Sequence, residues 1–205
     1  MNQQRSAPLT EERIALRERL LDIPWDVTPG VWYGRLAALV LVAVWGTAVL
    51  LSRMTDPPVL LHLTVILFHE AGHVLFAPFG EALRIAGGTL GQLLMPLACA
   101  ISLQRRGDNF GAAICLAWVS MSGMDASVYA YDAADPLLPL IGGGTGADSF
   151  HDFIFLFDRY GQLGNARGWA RAMKALGVVG MLAALAWAAL LLQLQRVNVV
   201  SSRFR

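Results

Sequence analysis

The sequence predicts an all-α protein: a multi-pass bundle of four or five transmembrane helices with a short re-entrant or broken segment. Composition is the first observation behind this prediction. Hydrophobic residues make up 56% of the 205 residues and charged residues only 15%, whereas a soluble domain has about 25% charged residues. The second observation is a set of long stretches almost free of charge, which only helices can carry across lipid because they satisfy their own backbone hydrogen bonds.

Four stretches have about the 20 residues that a helix needs to cross about 30 Å of hydrocarbon. The third of them contains a single charged residue, Asp125, and the fourth contains none. The four predicted spans are residues 36–52, 59–79, 110–131 and 177–194.

A fifth apolar segment, residues 91–104, is shorter and contains Pro96. It is compatible with a full span, a re-entrant element or a broken helix that lines a cavity. Gly87, Gly88 and Gly91 stand at its start. We expect these glycines either to form an extended segment that pairs with a substrate strand or to form a turn between helices.

The remaining residues divide the chain into three regions. Residues 1–30 are rich in charge and predict an interfacial helix that begins after Thr10, followed by a linker. Residues 31–196 contain the apolar stretches and form the predicted transmembrane core, and residues 197–205 form a polar tail. Within the core, glycines and prolines of residues 133–149 predict a tightly turned or flexible connection.

One motif in the second span contains residue types that can bind a metal and take part in catalysis: the sequence His69-Glu70-Ala71-Gly72-His73. Residues four apart lie on one face of a helix, so the two imidazoles could hold one zinc ion. Glu70 lies next to the first ligand and could act as a general base on zinc-bound water. Ionisable residues deep in a membrane span are costly and indicate a functional site.

With this motif inside an apolar helix, the chain resembles the site-2 protease family of intramembrane zinc metalloproteases. The resemblance covers residues 59–79 well and residues 87–104 loosely. It implies zinc bound within the bilayer and hydrolysis of a peptide bond in or near a substrate's transmembrane segment. The family's third ligand is an aspartate followed by glycine on a later helix, and this sequence contains no Asp-Gly pair. The chain would therefore be a compact and divergent relative.

The third zinc ligand has to come from another part of the chain, since catalytic zinc usually takes three protein ligands and a water molecule. His151 and Asp152 are the first choice: one would bind the metal and its neighbour would orient the site. An N-cap of a following helix is the alternative role for this pair. Asp125, an aspartate on a later helix, is a further candidate, whereas His62 lies about 10 Å from His69 along its helix.

The function predicted from these residues is that of an intramembrane zinc metalloendopeptidase. Zn²⁺ is the expected cofactor, Glu70 the catalytic residue, and a membrane-protein substrate and the lipid bilayer the expected partners. The formal net charge of +1 gives no reason to expect nucleic acid. We expect a multi-pass protein of a bacterial cytoplasmic membrane. The alternatives are a metal-binding membrane protein without proteolytic activity and a structural subunit of a membrane complex.

Overall fold

The computed structural model describes residues 18–23, 27–56, 59–140 and 143–202, with the backbone alone at residue 59 and at residues 197–202. These residues contain helices and no strand, which confirms the predicted all-α fold. The α-helices are α1 (Pro29–Leu51), α2 (Val59–Phe76), α3 (Glu81–Arg105), α4 (Asn109–Asp132), α5 (Asp152–Arg159) and α6 (Ala166–Ser202). Short 3₁₀ helices, Ala77–Phe79 and Leu163–Asn165, precede α3 and α6.

Five of these helices, all except the short α5, are long and apolar enough to cross a membrane. The chain therefore has the character of an integral membrane protein. The segment whose form the sequence left open belongs to α3, a continuous helix of 25 residues that includes Pro96. Gly87, Gly88 and Gly91 lie inside this helix, so they form neither an extended segment nor a turn.

Local signals account for where several helices begin and end. Thr28 caps α1 by accepting a hydrogen bond from the Val31 N–H at 3.4 Å, and Pro29 occupies the first turn, where its missing N–H costs nothing. The Asp108 side chain caps α4 by accepting from the Gly111 N–H at 3.0 Å. Gly80 and Gly107, with φ of 95° and 81°, form the turns before α3 and after it.

Contacts at both ends of α1 fix its direction relative to α6. The Trp32 indole N–H donates to the Leu192 carbonyl at 3.0 Å, near the start of α1 and the end of the apolar part of α6. At the other end, the Lys174 ammonium donates to the Ser52 carbonyl at 2.7 Å. The two helices are therefore antiparallel.

Helix α4 runs antiparallel to α6 and parallel to α1. Phe110, at the start of α4, packs in one cluster with Leu191, and Ala130, at its end, packs in another with Ala170. Arg35 near the start of α1 forms an ion pair of 3.2 Å with Asp108 at the start of α4. The first turns of α1 and α4 therefore lie at the same end of the bundle.

Helix α2 also runs parallel to α1, although it follows α1 in the chain. It is antiparallel to α3, because the His73 ring N–H donates to the Arg84 carbonyl at 2.9 Å and His69 contacts Gln92 further along α3. Helix α3 is in turn antiparallel to α4, to which the Gly107 turn joins it.

The link between α1 and α2 does not carry the chain across the bundle. Leu61, at the start of α2, packs in the same cluster as Val49, near the end of α1. Helix α2 ends beside the start of α3, to which the 3₁₀ helix Ala77–Phe79 joins it. Because α1 and α2 point the same way, the five apolar helices do not alternate in direction along the chain, as five simple crossings would require.

The two ends of the chain are only partly described. Residues 1–17, and with them most of the expected interfacial helix, lie outside the described residues. Within residues 18–23, Leu21 packs against the Phe110 cluster of the bundle, and the Leu20 carbonyl accepts from the Trp187 indole at 2.9 Å. At the other end, the α6 backbone stays helical to Ser202, so the predicted polar tail begins as a continuation of that helix.

The helix directions predict that residues 31 and 106 lie on one side of the membrane and residue 160 on the other. We expect Val31→Cys and Arg106→Cys to react from the same side with a membrane-impermeant maleimide, and Tyr160→Cys from the opposite side. Cys99 and Cys115, which are both free thiols, are replaced by serine beforehand. Five alternating crossings would instead place residues 31 and 106 on opposite sides, and that labelling pattern would contradict the parallel arrangement of α1 and α2.

Candidate metal centre

His69, His73 and Asp152 bring three metal-ligating atoms together within 4.8 Å of one another. The Asp152 Oδ2 atom lies 3.0 Å from His69 Nε2 and 3.3 Å from His73 Nε2. Both His69 and Asp152 are buried. The two histidines come from α2 and the aspartate is the first residue of α5, so the group joins elements that are far apart in the chain.

Close packing between α2 and α3 sets the position of the two imidazoles. A Cβ atom at Gly72 would collide with the Gly87 carbonyl, and one at Gly91 would come within 2.8 Å of the Gly72 Cα. A Cβ atom at Gly88 would lie within 2.7 Å of His73 and closer still to His69. Glycine at these positions therefore lets α2 and α3 approach closely, with both imidazoles against the α3 backbone.

Each histidine has its Nδ1 atom hydrogen-bonded to an oxygen of α3. The His69 Nδ1–H donates to the Gln92 side-chain oxygen at 3.0 Å, and the His73 Nδ1–H donates to the Arg84 carbonyl at 2.9 Å. With their Nδ1 atoms bonded to α3, both rings turn their Nε2 atoms toward Asp152. Metal-binding histidines are commonly oriented in this way.

Gln92 is itself fixed in orientation. Its side-chain amide donates to the Ser122 carbonyl of α4 at 2.9 Å, so its oxygen must point to His69. The side chain is buried. The sequence does not single out Gln92 as part of the site, although an amide within an apolar segment is a signal of a specific buried hydrogen bond.

Asp152 is held in place through its backbone as well as its carboxylate. Its N–H donates to the Tyr129 hydroxyl at 3.1 Å. Burial by itself would raise the pKa of Asp152, but the contacts with His69 and His73 outweigh it and hold that pKa below its ordinary value. The carboxylate therefore stays ionised, which is the form that binds a cation.

His151 does not join the group, contrary to its expected role as a ligand. Its Nδ1 atom accepts from the Ile154 N–H at 3.3 Å, which makes it the N-cap of α5. Its Nε2 atom lies 3.3 Å from Asp132 Oδ2. Burial lowers the pKa of His151, against the opposing effect of Asp132. A neutral His151 therefore acts as a cap that sets the start of α5, and with it the position of Asp152.

Asp125 and His62 form a separate pair. His62 Nδ1 lies 3.3 Å from both carboxylate oxygens of Asp125, and Asp125 is only 4% exposed. Of the aspartates that the sequence offered as third ligand, the structure therefore brings Asp152 to the histidines and pairs Asp125 with His62.

A cavity of about 550 Å³ contains both the metal-ligating group and the His62–Asp125 pair. Glu70 also lines it and is exposed. Much of the remaining wall is apolar, and part of it comes from the connection between α4 and α5, at Leu138, Pro139 and Leu140. A water molecule at the open side of the three ligands would thus have a carboxylate on the same cavity wall.

The chemistry of the donor set fits a divalent transition metal. Two imidazoles and one carboxylate suit zinc, and the same set also suits iron. Three protein ligands with an open cavity beside them are typical of catalytic rather than structural metal sites. Residues His69, His73 and Asp152 are therefore the ones that could hold a metal ion.

Comparisons of the chain with models of protein families, with curated proteins and with solved structures found no match. The candidate metal centre is accordingly supported by the geometry of the chain's own residues.

Removal of any one of the three ligands should cause loss of the metal. We expect His69→Ala, His73→Ala and Asp152→Ala each to lose most of the zinc that the detergent-purified protein binds, because catalytic zinc needs three protein ligands. Asp125→Asn should retain zinc and serves as a matched control within the same cavity. Metal content per chain is measured by mass spectrometry after reconstitution with zinc, and loss in Asp125→Asn but not in Asp152→Ala would refute the assignment.

Removal of the Gln92 side-chain oxygen should weaken metal binding even though all three ligands remain. We expect Gln92→Leu to lower zinc affinity by about 10- to 100-fold, the usual effect of removing the partner of a metal-bound histidine. Gln92→Glu, which keeps an acceptor for His69, should bind zinc more tightly than Gln92→Leu. Competition with a fluorescent chelator measures the affinity, and equal affinities for the two variants would show that the hydrogen bond does not orient His69.

Proposed function

We propose that this protein is an intramembrane zinc metalloprotease that hydrolyses peptide bonds within or next to transmembrane segments. One observation carries the proposal. Glu70 directly follows a ligand of the candidate centre and lies on the wall of the same cavity as all three ligands. A site that only holds a metal has no need of this additional carboxylate.

His69, His73 and Asp152 would hold the ion through two imidazole nitrogens and one carboxylate oxygen. When bound, zinc lowers the pKa of a water ligand toward neutrality and polarises a peptide carbonyl. Glu70 would take a proton from the attacking water and pass it to the leaving amine, as a general base and then a general acid. Gln92 and the Arg84 carbonyl would hold the two imidazoles in orientation while this happens.

The resemblance to the site-2 protease family favours the same reading. In that family the third ligand is an aspartate on a later helix. Asp152 would take that role here, with Phe153 in the place of the family's glycine. The position of the site inside an apolar bundle is in keeping with a membrane-protein substrate, and a bacterial cytoplasmic membrane is the location that we propose.

The cavity restricts the substrate to an unfolded segment. A volume of about 550 Å³ falls within the range of about 300–1,000 Å³ typical of small-ligand sites, so it admits a few residues of extended chain and excludes an intact helix. The apolar side chains on its wall, including Ile66 and Val128, suit the side chains of a transmembrane segment.

A metal-binding protein without proteolytic activity is the second candidate. It is favoured by the donor set alone, because two histidines and one carboxylate also suit iron. This candidate needs His69, His73 and Asp152 but assigns no task to Glu70. Substitution of Glu70 therefore separates the two candidates.

We expect Glu70→Gln to bind zinc like the wild type and to lose peptide hydrolysis by at least about 100-fold, the usual effect of losing a general base. Glu81→Gln is the matched control, since Glu81 is exposed and pairs with Arg159 at 3.4 Å away from the metal. Cleavage of a pool of synthetic transmembrane peptides in detergent is followed by mass spectrometry. Unchanged cleavage by the Glu70→Gln variant, or no zinc-dependent cleavage by the wild type, would contradict the proposed function.

A further inference from the structure

The His62–Asp125 pair is not used by the metal centre, although it lies in the same cavity. Asp125 is buried within α4, and its carboxylate accepts from His62 alone among the described residues. An ionisable residue in an apolar span is costly and is expected to serve a function. The pair is too distant to bind the same metal ion, because His62 and His69 are separated by about 10 Å along α2.

The orientation of His62 leaves one of its ring nitrogens available in the cavity. An ionised carboxylate only accepts hydrogen bonds, so His62 Nδ1 donates to Asp125. The histidine side chain is 38% exposed, whereas that of Asp125 is 4% exposed. A ligand that entered the cavity would therefore meet the imidazole of His62, with the Asp125 carboxylate directly behind it.

In the part of the chain that the structure describes, no lysine or arginine offsets the charge of Asp125 at this end of the cavity. Among the described residues that line the cavity, Arg84 is the only lysine or arginine, and its backbone carbonyl accepts from His73 at the metal end. His62 is therefore the one described wall residue beside Asp125 that can offset its charge. When the imidazole is neutral, its free nitrogen can accept a hydrogen bond from an ammonium or guanidinium group, whose charge the Asp125 carboxylate behind it attracts.

The distance between the His62–Asp125 pair and the metal ligands determines how many substrate residues separate the cleaved bond from the side chain at the pair. His62 and His69 lie on one face of α2, because seven residues are close to two helical turns. An extended chain advances about 3.3 Å per residue. A peptide bond at the candidate metal centre would thus place the side chain about three residues away beside His62.

We propose that His62 and Asp125 form a specificity subsite for a lysine or arginine side chain about three residues from the cleaved bond. This inference depends on the proposed function because it refers to a cleaved bond. The preference for a cation depends on the cavity alone. The subsite selects segments in which a basic residue lies close to an apolar run, as at the ends of many transmembrane helices.

Binding of matched peptides tests the subsite without relying on cleavage. The probes are apolar peptide amides that carry lysine, norleucine or glutamate, with the position varied one residue at a time, and they are added to the zinc-loaded Glu70→Gln variant in detergent. We expect the best lysine peptide to bind at least about tenfold more tightly than its norleucine analogue, a difference of about 1.4 kcal/mol. The glutamate peptide should bind most weakly.

Substitution of the pair should remove this preference. In Asp125→Asn and in His62→Gln, each combined with Glu70→Gln, we expect the lysine and norleucine peptides to bind within about twofold of each other, with zinc content and thermal stability near those of the parent. If one of the two variants does not fold, the result with the other variant is sufficient to test the subsite. Equal binding of lysine and norleucine peptides to the parent, or a preference that persists in a folded variant, would overturn the subsite.

Cleavage by the wild type separates this inference from the proposed function. Cleavage of lysine and norleucine peptides at equal kcat/KM, with zinc required, would overturn the subsite and leave the protease proposal intact. An Asp125-dependent preference in binding, with no cleavage of any peptide, would sustain the subsite as a cation-binding site and refute the protease proposal. A preference in both measurements supports both.

Discussion

A carboxylate buried among apolar helices stays ionised only if hydrogen-bond donors or cations offset the loss of water around it. This protein meets that constraint mainly with histidine, and at Asp132 with the backbone N–H groups of Leu137 and Leu138. Each of its four histidines faces an aspartate within 3.3 Å, and the pairs are His69 and His73 with Asp152, His62 with Asp125, and His151 with Asp132. Lysine and arginine take no part in these pairs.

The pairs have different consequences because their surroundings differ. Around Asp152, two imidazoles turn their Nε2 atoms toward one carboxylate, an arrangement of three donor atoms that could hold a metal ion. Around Asp132, a single neutral imidazole caps α5 through its Nδ1 atom and lies 3.3 Å from the carboxylate with its Nε2 atom, so it fixes the start of α5. Around Asp125, one imidazole nitrogen remains open to the cavity. The candidate metal centre, the cap of α5 and the proposed subsite thus all contain a histidine that faces an aspartate.

The sequence was sufficient for the helical class and for the two histidines of α2, because apolar run length and four-residue spacing are local properties. It named Asp152 beside His151 but did not separate them, since the choice depends on which nitrogen or oxygen the start of α5 turns inward. The pairing of His62 with Asp125 and the orientation of His69 by Gln92 join separate helices, so no local pattern reveals them. The form of α3 stayed open because Pro96 and three glycines resemble helix breakers, whereas here the glycines permit close contact with α2.

The parallel course of α1 and α2 bears on how the chain enters a membrane. Helix α2 carries three of the four histidines and Glu70, and its start lies inside the bundle rather than at a surface. A segment with these properties gains little from inserting alone, because the donors and acceptors for its polar side chains come from α3, α4 and α5. The polar side chains of α2 therefore meet their partners only after the following helices have been made, and the candidate metal centre is complete only when α5 has joined α2.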